Sequence, residues 1–281
     1  MNKNGKKTRV WLRAAIQAVC FILFPSVFTA AFSGVKYVFT RIGAGEAIEL
    51  TSFTAALAAL CVYTFVCGRF FCGFACAFGS FGDAVHALYT AACKKLKKKP
   101  LKLPEGWAKR LGLLKYAVLA LIVLACFGGV YARMHGTSPW DVFSMLRAGN
   151  FALGEYIPGL ILLILLMVGM CVQERFFCRF LCPMGAVFSM LPVLPLFSLC
   201  RDRENCIKGC SGCTRKCPSG IELAPKNAPA APGNCFMCLK CIDTCPKGNI
   251  SCGVPGLRGN EIWLTLIRTA ALFLLFLWLG I

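Results

Sequence analysis

Charge is scarce in this chain, and negative charge scarcer still. Only 15% of the 281 residues are Asp, Glu, Lys or Arg while 58% are hydrophobic, against about a quarter charged and about half apolar in a soluble globular domain. That balance excludes a water-soluble globular protein and places the chain in a membrane. Histidine occurs only as His86 and His135, with no paired axial-ligand pattern beside them. Either is a candidate quinone or haem contact, but a lone histidine more often sits at a surface or interface. Also missing, in any strand–helix setting, are a glycine-rich phosphate loop, a Ser-His-Asp set and a zinc-protease motif.

Acidic residues number 12 against 31 basic ones, a formal net charge of +19. The densest basic run, Lys94, Lys95, Lys97, Lys98 and Lys99, directly follows an apolar segment. There it meets anionic lipid headgroups, so the lipid bilayer and not nucleic acid is the expected partner. A basic face also steers an acidic electron-carrier protein to a redox site.

Five windows are long enough to cross about 30 Å of hydrocarbon: 11–32, 50–66, 111–131, 157–172 and 262–281. Arg268, in the fifth, is expected near one end with its side chain snorkelling to the headgroups. The first window follows Lys3, Lys6, Lys7, Arg9 and Arg13, and residues 30–34 offer a loose cleavage region. Its apolar stretch is longer than the usual signal core of about 7–15 residues, so a retained helix is expected. With the N-terminus in the cytoplasm, 27 of the 31 Lys and Arg residues fall at or near the cytoplasmic side, leaving Lys36, Arg41, Arg133 and Arg147 outside. The positive-inside rule asks for this bias. The segment 138–143 then faces outward, where Trp140 reads as an interfacial anchor.

Cysteine is abundant, at 20 residues. Cys235, Cys238, Cys241 and Cys245, closed by Pro246, form the run C-x₂-C-x₂-C-x₃-C-P. Three such thiolates wrap one face of an iron–sulfur cluster, and the fourth, beside proline, ligates the neighbouring cluster in two-cluster ferredoxins. The companion run is Cys206, Cys210, Cys213, Cys217 and Pro218, with one extra residue in its first spacing. Cys200 is an alternative to Cys206 if the intervening loop folds back. A disulfide framework needs an oxidising compartment, and zinc sites bring paired knuckles with a long spacer. Neither accounts for two runs each closed by Cys-Pro. Residues 200–252 therefore read as a cytoplasmic, ferredoxin-like module with two [4Fe–4S] clusters and crossed ligation.

The chain also repeats itself. Residues 69–79, R-F-F-C-G-F-A-C-A-F-G, align with 175–185, R-F-F-C-R-F-L-C-P-M-G, so that Cys178 lies 106 residues after Cys72. Each copy follows an even-numbered span, and each offers two thiols, whereas an iron–sulfur cluster is usually held by four. Parallel repeats commonly build a site at their interface. Cys72, Cys76, Cys178 and Cys182 are thus candidate ligands of a third cluster, against the alternative that they are small packing residues. Cys20, Cys61, Cys93 and Cys126 read as packing residues and Cys252 as a loop thiol.

At these motifs the sequence resembles the membrane polyferredoxins typified by NapH, NosR and CcoG, with their paired membrane C-x₃-C-P motifs and cytoplasmic 4Fe–4S module. The resemblance runs from the first span through Cys245, and the length is similar to that of the NapH type. Cys178-x₃-Cys182-Pro183 matches the motif in full, whereas Cys76 is followed by Ala77. The span after Ile262 departs from the four-helix NapH pattern, and there is no room for the flavin domain of NosR or the extra C-terminal domain of CcoG. The resemblance implies electron transfer between a quinone or cytoplasmic donor and a membrane or extracytoplasmic partner, such as an exported flavoprotein or reductase. It leaves open an accessory reductase for metal or cofactor assembly, or a redox sensor, although a sensor should carry an output domain and none is visible. Quinone is a candidate cofactor.

The expected architecture is an all-α integral membrane protein. Residues 1–199 form a membrane domain of two repeated helix pairs, about 1–92 and 107–199. Residues 200–252 form the ferredoxin-like module, and 253–281 a C-terminal transmembrane helix.

Overall fold

The computed structural model describes residues 3–101, 103–133, 136–151, 154–194, 199–225, 232–253 and 261–280. His135 and the last residue of the fifth expected span lie outside them.

The chain opens with α1 (Lys3–Leu23) and α2 (Val27–Ala44). Pro25 lacks a backbone N–H and disfavours helical backbone at Phe24, so the two helices meet at a 63° bend instead of forming one straight span over 11–32. Gly45, left-handed at φ +69, caps α2. Next comes α3 (Ser52–Cys67), started by the Thr51 hydroxyl, which accepts from the Thr54 amide at 3.3 Å. At 16 residues it rises about 24 Å, short of the hydrocarbon thickness. A π-helical turn, Phe71–Ala75, leads into α4 (Ala77–Lys95).

Helices α5 (Glu105–Leu111) and α6 (Leu114–Phe127) follow, then α7 (Pro139–Arg147), capped by Ser138 and begun by proline. After α8 (Ile157–Val172) come the short α9 (Phe176–Phe180) and α10 (Pro183–Met190). Strand β1 (Leu199–Arg201), α11 (Gly212–Arg215), β2 (Ala224–Pro225) and β3 (Ile250–Cys252) precede the final α12 (Glu261–Leu279). The helical stretches Gly106–Phe127, Gly154–Val172 and Glu261–Leu279 are long and apolar enough to cross a membrane, and the bent α1–α2 pair makes a fourth if it counts as one span.

The chain divides into two compact units. The first takes in Met1–Phe24, Ala59–Ser80 and Val187–Ile281. Its core is aromatic: Phe24 packs on Phe273 and Phe276 at 5.4 and 5.0 Å, and Phe71 meets Phe188 and Phe276 edge-on. Arg268 does not snorkel. It is 1% exposed, its Nη2 donates to Cys252 Sγ at 2.9 Å, and its guanidinium lies over the Phe70 ring. Cys252 is accordingly a buried strand residue and not a loop thiol.

The second unit takes in Pro25–Ala58 and Phe81–Ala186. Two glycines let helices close up: a Cβ at Gly43 would overlap the Phe127 carbonyl oxygen, and one at Gly34 the Phe53 carbonyl oxygen. Trp140 is no interfacial anchor. Its ring packs on Phe28, Phe32 and Phe177 at 5.8, 5.5 and 5.3 Å, inside this unit.

Candidate iron–sulfur centres

β1 is the middle strand of a small sheet, with β3 antiparallel to it and β2 parallel. Leu199 faces Cys252 and Arg201 faces Ile250, which closes the two ends of the cysteine-rich stretch on each other. The sequence reading names no sheet in this module. Between its strands the backbone is mostly irregular. Met237 and Leu239 are left-handed, at φ +53 and +61, although neither is glycine. Such positions cost of order 1–3 kcal/mol each and persist where the surroundings impose them. Here they turn the backbone twice within 235–241, so that three cysteines address one hollow.

Two hollows result. One, of about 280 Å³ with part of it open to solvent, is lined by Cys206, Cys210, Cys213 and Cys245 together with Arg201 and Ile250. The other, of about 340 Å³ and likewise partly open to solvent, is lined by Cys213, Cys217, Cys235, Cys238 and Cys241, with Leu199, Leu223 and Phe236 as apolar walls. Each hollow thus draws on both runs, three thiols from one and the Cys-Pro thiol from the other, with Cys213 lining both. This chemistry fits a four-iron cluster in each. Among the described residues no three His, Cys, Asp or Glu side chains stand close enough to hold a single metal ion. Cys200 sits on β1 and lines neither hollow, whereas Cys206 lines one.

The electrostatics of the two hollows differ. Arg201 Nε donates to Cys206 Sγ at 3.1 Å and its Nη2 to the Cys210 carbonyl at 3.1 Å. The bond to Cys206 holds the guanidinium pKa above its ordinary value. In the apolar hollow, burial pushes the Cys235 thiol up to about 12 and the Cys241 thiol well above its usual value. Those sulfurs become thiolates only when a positively charged centre takes the proton's place.

In the first R-F-F-C copy, Cys72 lies in the π-turn and Cys76 is the extended residue that ends it. A Cβ on Gly73 would overlap the carbonyl oxygen of Phe236, so the turn rests backbone to backbone on the second cysteine run. In the second copy, Cys178 lies in α9, whose preceding residue Arg175 is left-handed at φ +56. Cys182 stands just before α10 and accepts the Gly185 amide at 3.1 Å. All four cysteines are buried. The first pair belongs to the first unit and the second pair to the second unit.

His86 Nδ1 lies 3.1 and 3.0 Å from the Met170 and Cys171 carbonyl oxygens. Carbonyls only accept, so Nδ1 carries the proton and His86 caps the end of α8. Cys20, Cys93 and Cys126 are buried packing residues. Three features escaped the sequence reading: the Arg201–Cys206 bond, the Gly73–Phe236 approach, and the pairing of Arg9 with Asp243, between two cluster-run cysteines, at 2.7 Å. Only the second left a trace, because Gly73 is replaced by Arg179 in the repeat.

Apolar helices of spanning length, together with two cysteine-lined hollows, are the features of a membrane protein able to hold iron–sulfur clusters. The family model described as a 4Fe-4S binding domain matches residues 50–100 and 157–194, which contain the two R-F-F-C copies. An uncharacterised protein of Methanocaldococcus jannaschii is 30% identical over 244 residues, 85% of this chain and 94% of that protein. Protein NirI of Paracoccus denitrificans is 29% identical over 61% of this chain and 24% of its own length. The ferredoxin-type protein NapH of Haemophilus influenzae is 26% identical over 70% of this chain and 66% of its own. No solved structure matches. The chain belongs to the NapH/NosR-type membrane polyferredoxin family.

Proposed function

We propose that the chain is a membrane-bound electron-transfer protein with two [4Fe–4S] clusters in its ferredoxin-like module. Cys206, Cys210, Cys213 and Cys245 hold one, and Cys217, Cys235, Cys238 and Cys241 hold the other. The observation that carries this reading is the pair of cysteine-lined hollows, each drawing on both runs. Bound clusters supply one-electron chemistry at nearly constant geometry. The chain's own groups do the rest. Leu199, Leu223 and Phe236 give one hollow an apolar lining, while Arg201 gives the other a charged N–H donor. Apolar burial and hydrogen bonds to sulfur are the levers that set a cluster's potential.

The module and the N-terminus face the cytoplasm, as the positive-inside bias suggests. Cys72, Cys76, Cys178 and Cys182 supply ligands to a third cluster, a reading supported by the sequence repeat and by the family match to both copies. Electrons pass between a quinone or cytoplasmic donor and a membrane or extracytoplasmic redox partner. Anaerobic analysis of the purified full-length protein should find acid-labile sulfide matching iron, at about eight of each for two clusters and more for three. Stoichiometric zinc without sulfide sinks the assignment. Replacing Cys72 or Cys178 by Ser should erase one and the same paramagnetic signal of the reduced protein while leaving the module's two in place.

A further inference from the structure

The two copies of the R-F-F-C motif treat their arginines differently. Arg175 is 1% exposed and ends on the Asp83 carboxylate, with Nε to Oδ1 at 3.0 Å and Nη2 to Oδ2 at 2.6 Å. Arg69 is equally buried, at 1%, yet it meets no carboxylate among the described residues. Its Nη2 lies 4.0 Å from Cys72 Sγ, its guanidinium carbon stands 4.8 Å over the Phe236 ring, and its Nε has no hydrogen-bond partner.

A buried cation without a counter-ion costs several kcal/mol. A ring face returns about 0.5–2 kcal/mol, and a neutral thiol at 4.0 Å adds little. The repeat shows what a satisfied arginine looks like here, so the missing anion is specific to the first copy. Its surroundings say where that anion sits. Phe236 walls the hollow of Cys217, Cys235, Cys238 and Cys241. Gly73 brings the π-turn's backbone onto Phe236, and Gln17 of α1 donates to the Gly73 carbonyl at 3.3 Å, which holds the contact from the other side. In the second copy Arg179 occupies the place of Gly73, and a side chain there precludes such an approach.

Four thiolates around a four-iron core carry net negative charge, and reduction adds one more. We infer that Arg69 is the counter-charge of the iron–sulfur cluster held by Cys217, Cys235, Cys238 and Cys241, and that it raises this cluster's reduction potential by stabilising the reduced form. The inference rests on the ligand assignment above. It also makes this cluster the one adjoining the membrane motif, so electron exchange between module and Cys72 runs through the Phe236–Gly73 contact. Arg69 is a positioning and tuning residue and touches no reacting atom.

The test is a redox titration of the full-length protein in nanodiscs, followed by the low-temperature paramagnetic signals of the reduced clusters, with iron and sulfide assayed in parallel. Arg69→Gln should keep wild-type iron and shift one signal to lower potential, namely the signal that Cys238→Ser abolishes. Arg69→Lys should fall between the two. Full iron with unchanged potentials in Arg69→Gln overturns the inference and leaves the ligand assignment standing, whereas wild-type protein without sulfide overturns both. If Arg69→Gln loses iron, Arg69→Lys is compared with Arg69→Met, similar in reach and different in charge. Higher potential or better iron retention in the Lys variant supports the counter-charge, and equal behaviour of the two overturns it.

Discussion

Arg201 makes two hydrogen bonds of 3.1 Å, one to a sulfur and one to a carbonyl, on the same cysteine run. A charged donor on a ligand sulfur favours the reduced, more negative cluster. Arg201→Leu should therefore lower the potential of the cluster of Cys206, Cys210, Cys213 and Cys245 while leaving the other in place, as read from separate redox titrations of the two signals. Gly73 answers a steric demand. Because any Cβ there meets the Phe236 carbonyl, Gly73→Val should cost about 1–3 kcal/mol or more through backbone displacement. Gly209, with nothing within 4 Å of a Cβ, is held only by its φ of +74, so Gly209→Ala should cost about 1 kcal/mol. Thermal loss of cluster absorbance measures both, and equal sensitivity of the two sites would remove the packing role of Gly73.

Among the elements, α1 departs furthest from its sequence reading. It is a strap within the first unit. Gln17 holds the Cys72 turn, and Arg9 binds Asp243 at 2.7 Å and reaches Glu261 at the start of α12 at 3.9 Å. Asp243 sits between Cys241 and Cys245, which line different hollows, so this one ion pair steadies the turn that serves both. Its side chains are 17% and 13% exposed, between the surface and buried regimes, and removing it should cost about 1–3 kcal/mol. Arg9→Gln should speed hydrogen exchange at 241–245 and leave α8, in the other unit, unchanged. Equal protection in the variant would mean that α1 does not secure the module.

At the scale of the molecule, the helices and the module draw their stability from different sources. α8 and α12 are continuous apolar helices. The module has three strands of two or three residues and inward-facing thiols. So small a core should lean on the clusters proposed for it, because binding energy is folding energy where no site survives unfolding. Stripping iron with a chelator under anaerobic conditions should bleach the visible absorbance and open 199–253 to protease, while helical circular dichroism is largely retained. Protons compete with iron for the Cys235 and Cys241 sulfurs, whose burial favours the protonated form, so cluster loss should quicken as pH falls. Impermeant labelling in intact cells tests orientation: a reporter at Ser138 should react and one at Ser219 should not.

The sequence by itself determined what is written in local spacing: the apolar stretches 157–172 and 262–279, the two cysteine runs, and the repeat that relates Cys72 to Cys178. Such signals are legible because ligand spacing and hydrocarbon thickness act over a few residues or one helix length. Pro25 lies inside the first window, and its effect emerges only in the structure, where α1 and α2 meet at a bend instead of forming one straight span. Tertiary structure decided which groups meet across long separations: Tyr63 with the Arg268 carbonyl, Arg9 with Asp243, Gly73 with Phe236, β1 with β3. It also decided where charge is buried. Arg268 and Arg69 look in sequence like side chains that can reach water, and only packing around Phe70 and Phe236 removes that option. A contact between distant residues depends on the whole path of the backbone, and no window along the chain contains it.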